Sequence, residues 1–162
     1  MDRRERLQQR EEELKELYPR LLRRVNMGLG RIFSAVYGIP RLGPLVMSAF
    51  ARLASFLLVE LNIMGLKRLR GGGAEEIAYG WMKLTAALCS YCRVEEAEEG
   101  RVVLSWEGCP LGYESPSQKG LCRSVMSIDQ MTARRLGGRM EIAQTVPEGH
   151  ARCRFVFTTG DN

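Results

Sequence analysis

Apolar positions along the chain follow two periods, and the change between them falls near the middle. Residues 2–17 read as a charged helix with a thin leucine stripe, Leu7, Leu14 and Leu17, too sparse to drive folding alone. Pro19 interrupts it, and a second helix is expected to begin there, because proline suits a helix's first turn. Its apolar residues Leu22, Val25, Leu29, Ile32, Phe33 and Val36 recur at steps of three and four. Pro40, Gly43 and Pro44 make the next turn. From Leu45 to Leu66 the chain is mostly apolar, with Ser48, Arg52 and Ser55 sharing one face. Those polar residues mark the wet side of a core helix, and with Glu60 and Asn62 they argue against a membrane span. Lys67, Arg68 and Arg70 before Gly71, Gly72 and Gly73 suit a helix end and a flexible boundary.

Beyond the glycines a further helix is expected from Ala74 to about Tyr91, with Ile77, Trp81, Leu84 and Leu88 on one face. Val94 to Ala97 and Arg101 to Trp106 flank a turn at Gly100 and read as a hairpin. A loop with Pro110, Gly112 and Pro116 leads to a helix near Leu121 to Leu136, stopped by Gly137 and Gly138. Alternation at Met140 and Ile142 and at Phe155 and Phe157 gives two more strands around Pro147 and Gly149. The pattern is therefore α+β: a helical region over 1–72, then a domain over 73–162 in which a four-stranded antiparallel sheet carries packed helices.

Composition narrows the class further. With 162 residues, 45% hydrophobic and 27% charged, the chain is long enough for a core of its own. Its net charge of +5 arises from 24 basic and 19 acidic residues that are interspersed in stretches such as Asp2 to Lys15. No direct DNA binding is expected from such a mixture. The first residues lack the apolar segment of a secretory signal, so a cytoplasmic location and reduced thiols are expected. Gly71 to Gly73 precedes acidic residues and lacks the lysine and hydroxyl of a phosphate-binding loop.

Five cysteines carry the candidate chemistry. Cys109 follows a strand, Cys122 begins a helix and Cys153 enters the last strand. Element ends of this kind can converge at one edge of a sheet, where three thiolates bind zinc or an iron–sulfur cluster; packing as small hydrophobes is the competing reading. Cys89 and Cys92 are spaced as half a metal site, a redox dithiol or two core residues one helical turn apart. His150, the only histidine, is a candidate fourth ligand or a solvated turn residue. Asp129 and Glu148 could move protons if they faced a cavity, but carboxylates on a helix face or turn are usually solvated.

The stretch Arg-Val-Val-Leu-Ser-Trp-Glu-Gly-Cys-Pro-Leu-Gly from Arg101, with Leu-Cys-Arg and the later Glu-Gly-His-Ala-Arg-Cys-Arg-Phe-Val-Phe, resembles the C-terminal part of a loose superfamily. That group includes V4R (4-vinyl reductase) domains, the methanogen output domain, L-2-amino-thiazoline-4-carboxylic acid hydrolase-like proteins and the effector domains of iron–sulfur-sensing repressors. The resemblance covers about a third of the chain. It implies a V4R-like fold and a sensor-type protein that binds a small-molecule ligand, a metal or an iron–sulfur cluster through Cys109, Cys122 and Cys153. Arg123 and Asp129 are then candidates for contacting the ligand, and the helical half for a homodimer or partner surface. An alternative is a hydrolase of a small cyclic substrate, although Asp129 lies farther along its helix than the hydrolase pattern implies. A third reading is a helical interaction protein whose cysteines only pack.

Overall fold

The computed structural model describes residues 2–17, 22–87 and 92–160. Helices α1 (Arg3–Leu17), α2 (Leu22–Tyr37), α3 (Gly43–Glu60) and α4 (Ala74–Ala87) come first, with a 3₁₀ segment, Ile63–Leu69, between the last two. Strands β1 (Arg93–Glu98) and β2 (Arg101–Trp106) follow, then α5 (Lys119–Arg135), β3 (Gly138–Gln144) and β4 (Cys153–Thr159). All pairings are antiparallel, in the order β1-β2-β4-β3, so two hairpins join along β2 and β4. This is the α+β architecture expected from the alternation, and β2 has the limits that its apolar run suggests. Cys89 lies outside the described residues, as does Leu88.

One face of the sheet carries the core. Along β4 the buried residues alternate, Cys153, Phe155 and Phe157, while Arg154 turns to the opposite face and pairs with Glu95 and Glu96, each at 2.7 Å. Trp81 of α4 lies over the buried face, stacked on Trp106 at 4.9 Å and tilted against Phe155 at 4.8 Å. Helix α1 uses its sparse leucines where they matter. Leu7 and Leu14 are buried in the same core, and the carboxylate of Glu11 accepts a hydrogen bond from the Val94 N–H, covering part of the β1 edge.

The glycine boundary is pinned to the sheet domain: Gly71 N–H donates to the Leu136 carbonyl at 2.9 Å, and Arg70 Nε to the Arg135 carbonyl at 3.1 Å. Core residues come from both halves, including Met47, Val59 and Leu66 alongside Leu104 and Phe155.

Helix α3 departs from expectation. Ser55 is fully buried, in line with Met47, Ala51 and Val59, and accepts a hydrogen bond from Arg135 Nε of α5 at 3.3 Å. The exposed side instead carries Leu45, Val46, Phe50, Leu53, Phe56 and Leu57. Small residues let α3 approach α5 closely, so the serine that looked like a marker of the wet side belongs to the contact. Arg52 alone of the polar trio is exposed. Among the described residues α3 is the one helix long and apolar enough, by length and composition, to cross a membrane; its packed face gives it a place against α5.

Candidate functional site

Three separate elements bring three thiols to one cavity. Cys109 sits in the loop after β2, Cys122 in the first turn of α5, and Cys153 at the start of β4. All three line a cavity of about 50 Å³, room for an ion or a few waters, together with Trp106, Tyr113 and Asp129. The register explains part of this convergence. Trp106 and Cys153 are cross-strand partners on β2 and β4, so their side chains leave the same face of the sheet. Thiols at all three positions are free.

Burial dominates the electrostatics. It pushes the Cys122 thiol up to about 12, with the sulfurs of Cys109 and Cys153 adding to the effect. Cys109 and Cys153 are raised as well, again chiefly by burial. Around Cys109 the peptide N–H groups of Tyr113, Leu111 and Gly112 oppose the rise by hydrogen bonding to the sulfur. The loop Cys109-Pro110-Leu111-Gly112-Tyr113 thus wraps its backbone donors about one thiol, an arrangement that favours the thiolate once a cation arrives.

Asp129, about two helical turns beyond Cys122 on α5, places its carboxyl among apolar neighbours on the cavity wall. Desolvation raises its pKa to about 7. Trp106 Nε1, buried beside the cavity, has no hydrogen-bond partner among the described residues. A buried N–H without an acceptor costs about 1–3 kcal/mol, and an acceptor atom in the cavity would relieve that cost.

Helix α2 closes the site from outside. The Tyr113 hydroxyl donates to the Gly30 carbonyl at 3.0 Å. A Cβ at Gly30 would stand 2.3 Å from the Leu111 carbonyl oxygen, so only glycine allows the helix this close to the Cys109 loop.

The remaining candidates lie elsewhere. Arg123 is exposed and paired with Glu148 at 3.1 Å through Nε, and His150 is exposed in the turn before β4. Cys92 is buried in the core with its sulfur 3.9 Å from the Thr85 hydroxyl; Thr85 reaches the cavity wall, while Cys92 is not among the residues that line it. Trp106 and Tyr113 were not singled out in the sequence. Their proximity to Cys109, three residues before and four after, is the one local signal that could have drawn attention to them.

No protein family, curated protein or solved structure matches the chain.

The residues suit a thiophilic centre in donor type: three soft sulfurs, backbone donors around one of them, and an indole N–H without an acceptor. Among the described residues no set of three His, Cys, Asp or Glu side chains is already drawn together tightly enough to hold a metal ion. Holding one therefore requires the thiols to close in as they lose their protons.

Proposed function

We propose that this chain is a sensor-type binding protein whose cavity takes a thiophilic metal centre, zinc or an iron–sulfur cluster, at Cys109, Cys122 and Cys153. The observation that carries the reading is the meeting of these thiols, delivered by a loop, a helix and a strand, at one small cavity. Packing of small hydrophobes imposes no such meeting. The V4R-like resemblance of the same three residues is in keeping with it.

A bound cation would supply the charge that makes thiolates favourable in an apolar wall. The chain's own residues would do the rest. Cys109 is cradled by its following peptide N–H groups, Trp106 offers a donor to an acceptor atom on the bound group, and Asp129 can take up or release a proton near neutral pH. The Tyr113–Gly30 hydrogen bond links one wall to α2, giving a change in the cavity a path to the helical half.

The hydrolase alternative is less well supported. A nucleophilic cysteine needs a depressed pKa, and burial raises all three here; His150, the only histidine, is exposed and away from the cavity wall.

Titrating the reduced protein with cobalt(II) under nitrogen tests the proposal. A saturable thiolate-to-cobalt charge-transfer band at one equivalent, lost in Cys109→Ser, supports it. Its absence in well-folded protein, together with no visible chromophore in anaerobically purified material, refutes it.

A further inference from the structure

Among the described residues, all eleven exposed large hydrophobic side chains lie between Ile32 and Ile63. Soluble surfaces normally scatter such residues singly; a contiguous face marks something that covers it. Along α3 the exposed Leu45, Val46, Phe50, Leu53, Phe56 and Leu57 form a broad stripe opposite the packed Met47, Ala51, Ser55 and Val59. The helix is thus apolar on both sides; on the outer one Phe50 meets Phe33 of α2 and Phe56 lies under Arg135, yet all six side chains stay exposed.

Charge says what covers the other. From residue 18 to residue 59 the sequence holds six arginines and neither aspartate nor glutamate. This local excess is larger than the net charge of the whole chain, +5, so the basic character is concentrated here. Arg31 on α2, Arg41 at the α2–α3 corner and Arg52 beside the α3 stripe are exposed. An apolar helix face accompanied by basic residues without acidic ones is the pattern of a surface that lies on anionic lipid.

We infer that the α2–α3 face docks on an anionic phospholipid surface, with the α3 stripe entering the headgroup–acyl boundary and the arginines meeting lipid phosphates. The helix lies in the plane of the membrane and does not cross it, because its inner face is committed to α5 through Ser55 and Arg135. Pairing with a second copy fits less well. It would bring two arginine-rich segments together with no carboxylate between residues 18 and 59 to neutralise them.

Co-sedimentation of the full chain with vesicles decides the matter. Vesicles of phosphatidylcholine alone are compared with vesicles in which roughly a third of the lipid is phosphatidylserine. At least tenfold tighter binding to the anionic vesicles, weakened by added salt, is expected. Leu45→Glu with Leu53→Glu should reduce it to the level of phosphatidylcholine alone. Arg41→Glu with Arg52→Glu should weaken it at least tenfold while leaving the apolar stripe intact. Unchanged thermal unfolding of both variants shows that the fold survives. Failure of the native chain to prefer anionic vesicles overturns the inference; if Leu53→Glu then splits a dimer in sedimentation, the face belongs to a second copy.

Discussion

The Tyr113 hydroxyl and the Gly30 carbonyl, 3.0 Å apart, tie the wall of the thiol-lined cavity to helix α2. Tyr113→Phe removes this bond while the α2 ladder still serves the Gly30 carbonyl, and should cost about 0.5–1.5 kcal/mol. Gly30→Ala should cost about 1–3 kcal/mol, because the helix must retreat from the Leu111 carbonyl oxygen. Urea unfolding of both variants checks these values; no change in either midpoint would show that α2 is not clamped at this point.

Asp129 makes stability depend on pH. Its folded-state pKa, about 7, stands above the usual aspartate value of about 4, so the folded chain binds this proton more tightly than the unfolded one does. The favourable contribution of the protonated acid is complete below about pH 4 and is lost as pH rises to about 7. Relative to Asp129→Asn, the native protein should therefore lose stability across that window and run parallel to the variant above it. Urea midpoints for both proteins from mildly acidic to mildly alkaline pH provide the measurement.

The raised thiols predict how metal binding responds to pH. Cys109, Cys122 and Cys153 are protonated near neutrality, so a cation must displace their protons. Apparent zinc affinity should rise about tenfold per pH unit for each proton released. Competition against a chelator of known pH dependence, at two pH values near neutrality, reads the number directly. A pH-independent affinity would exclude thiol ligation.

Trp106 separates packing from ligand contact. Trp106→Phe keeps an aromatic ring near Trp81 and removes the buried N–H without an acceptor, so stability should change by less than about 1.5 kcal/mol. Zinc or cluster retention should weaken if the indole donates to the bound group. Unfolding and metal retention measured on the same preparation distinguish the two effects.

Much of the fold was legible in the pattern of residues, and the reasons are local. Strand β2 and both hairpins follow from alternation bounded by glycine turns, with Gly100 at a φ of 73°. Helix α3 shows where periodicity stops being informative. When both faces are apolar, three polar residues on one side do not say which side packs, and Ser55 was drawn into the contact because it is small and meets Arg135. The cysteines were readable as element ends. That Trp106 and Tyr113 share their cavity was not, because it depends on β4 pairing with β2 and on α2 closing over the Cys109 loop, neither of which is written in any local stretch.

Metal and acid-labile sulfide per chain, measured on anaerobically purified protein, test the central claim most directly. The three-thiol site predicts a fixed stoichiometry in the native chain, lost in Cys109→Ser, Cys122→Ser and Cys153→Ser and kept in His150→Ala, whose side chain is exposed. Native protein that is folded and free of metal, or metal that persists in all three cysteine variants, would contradict it.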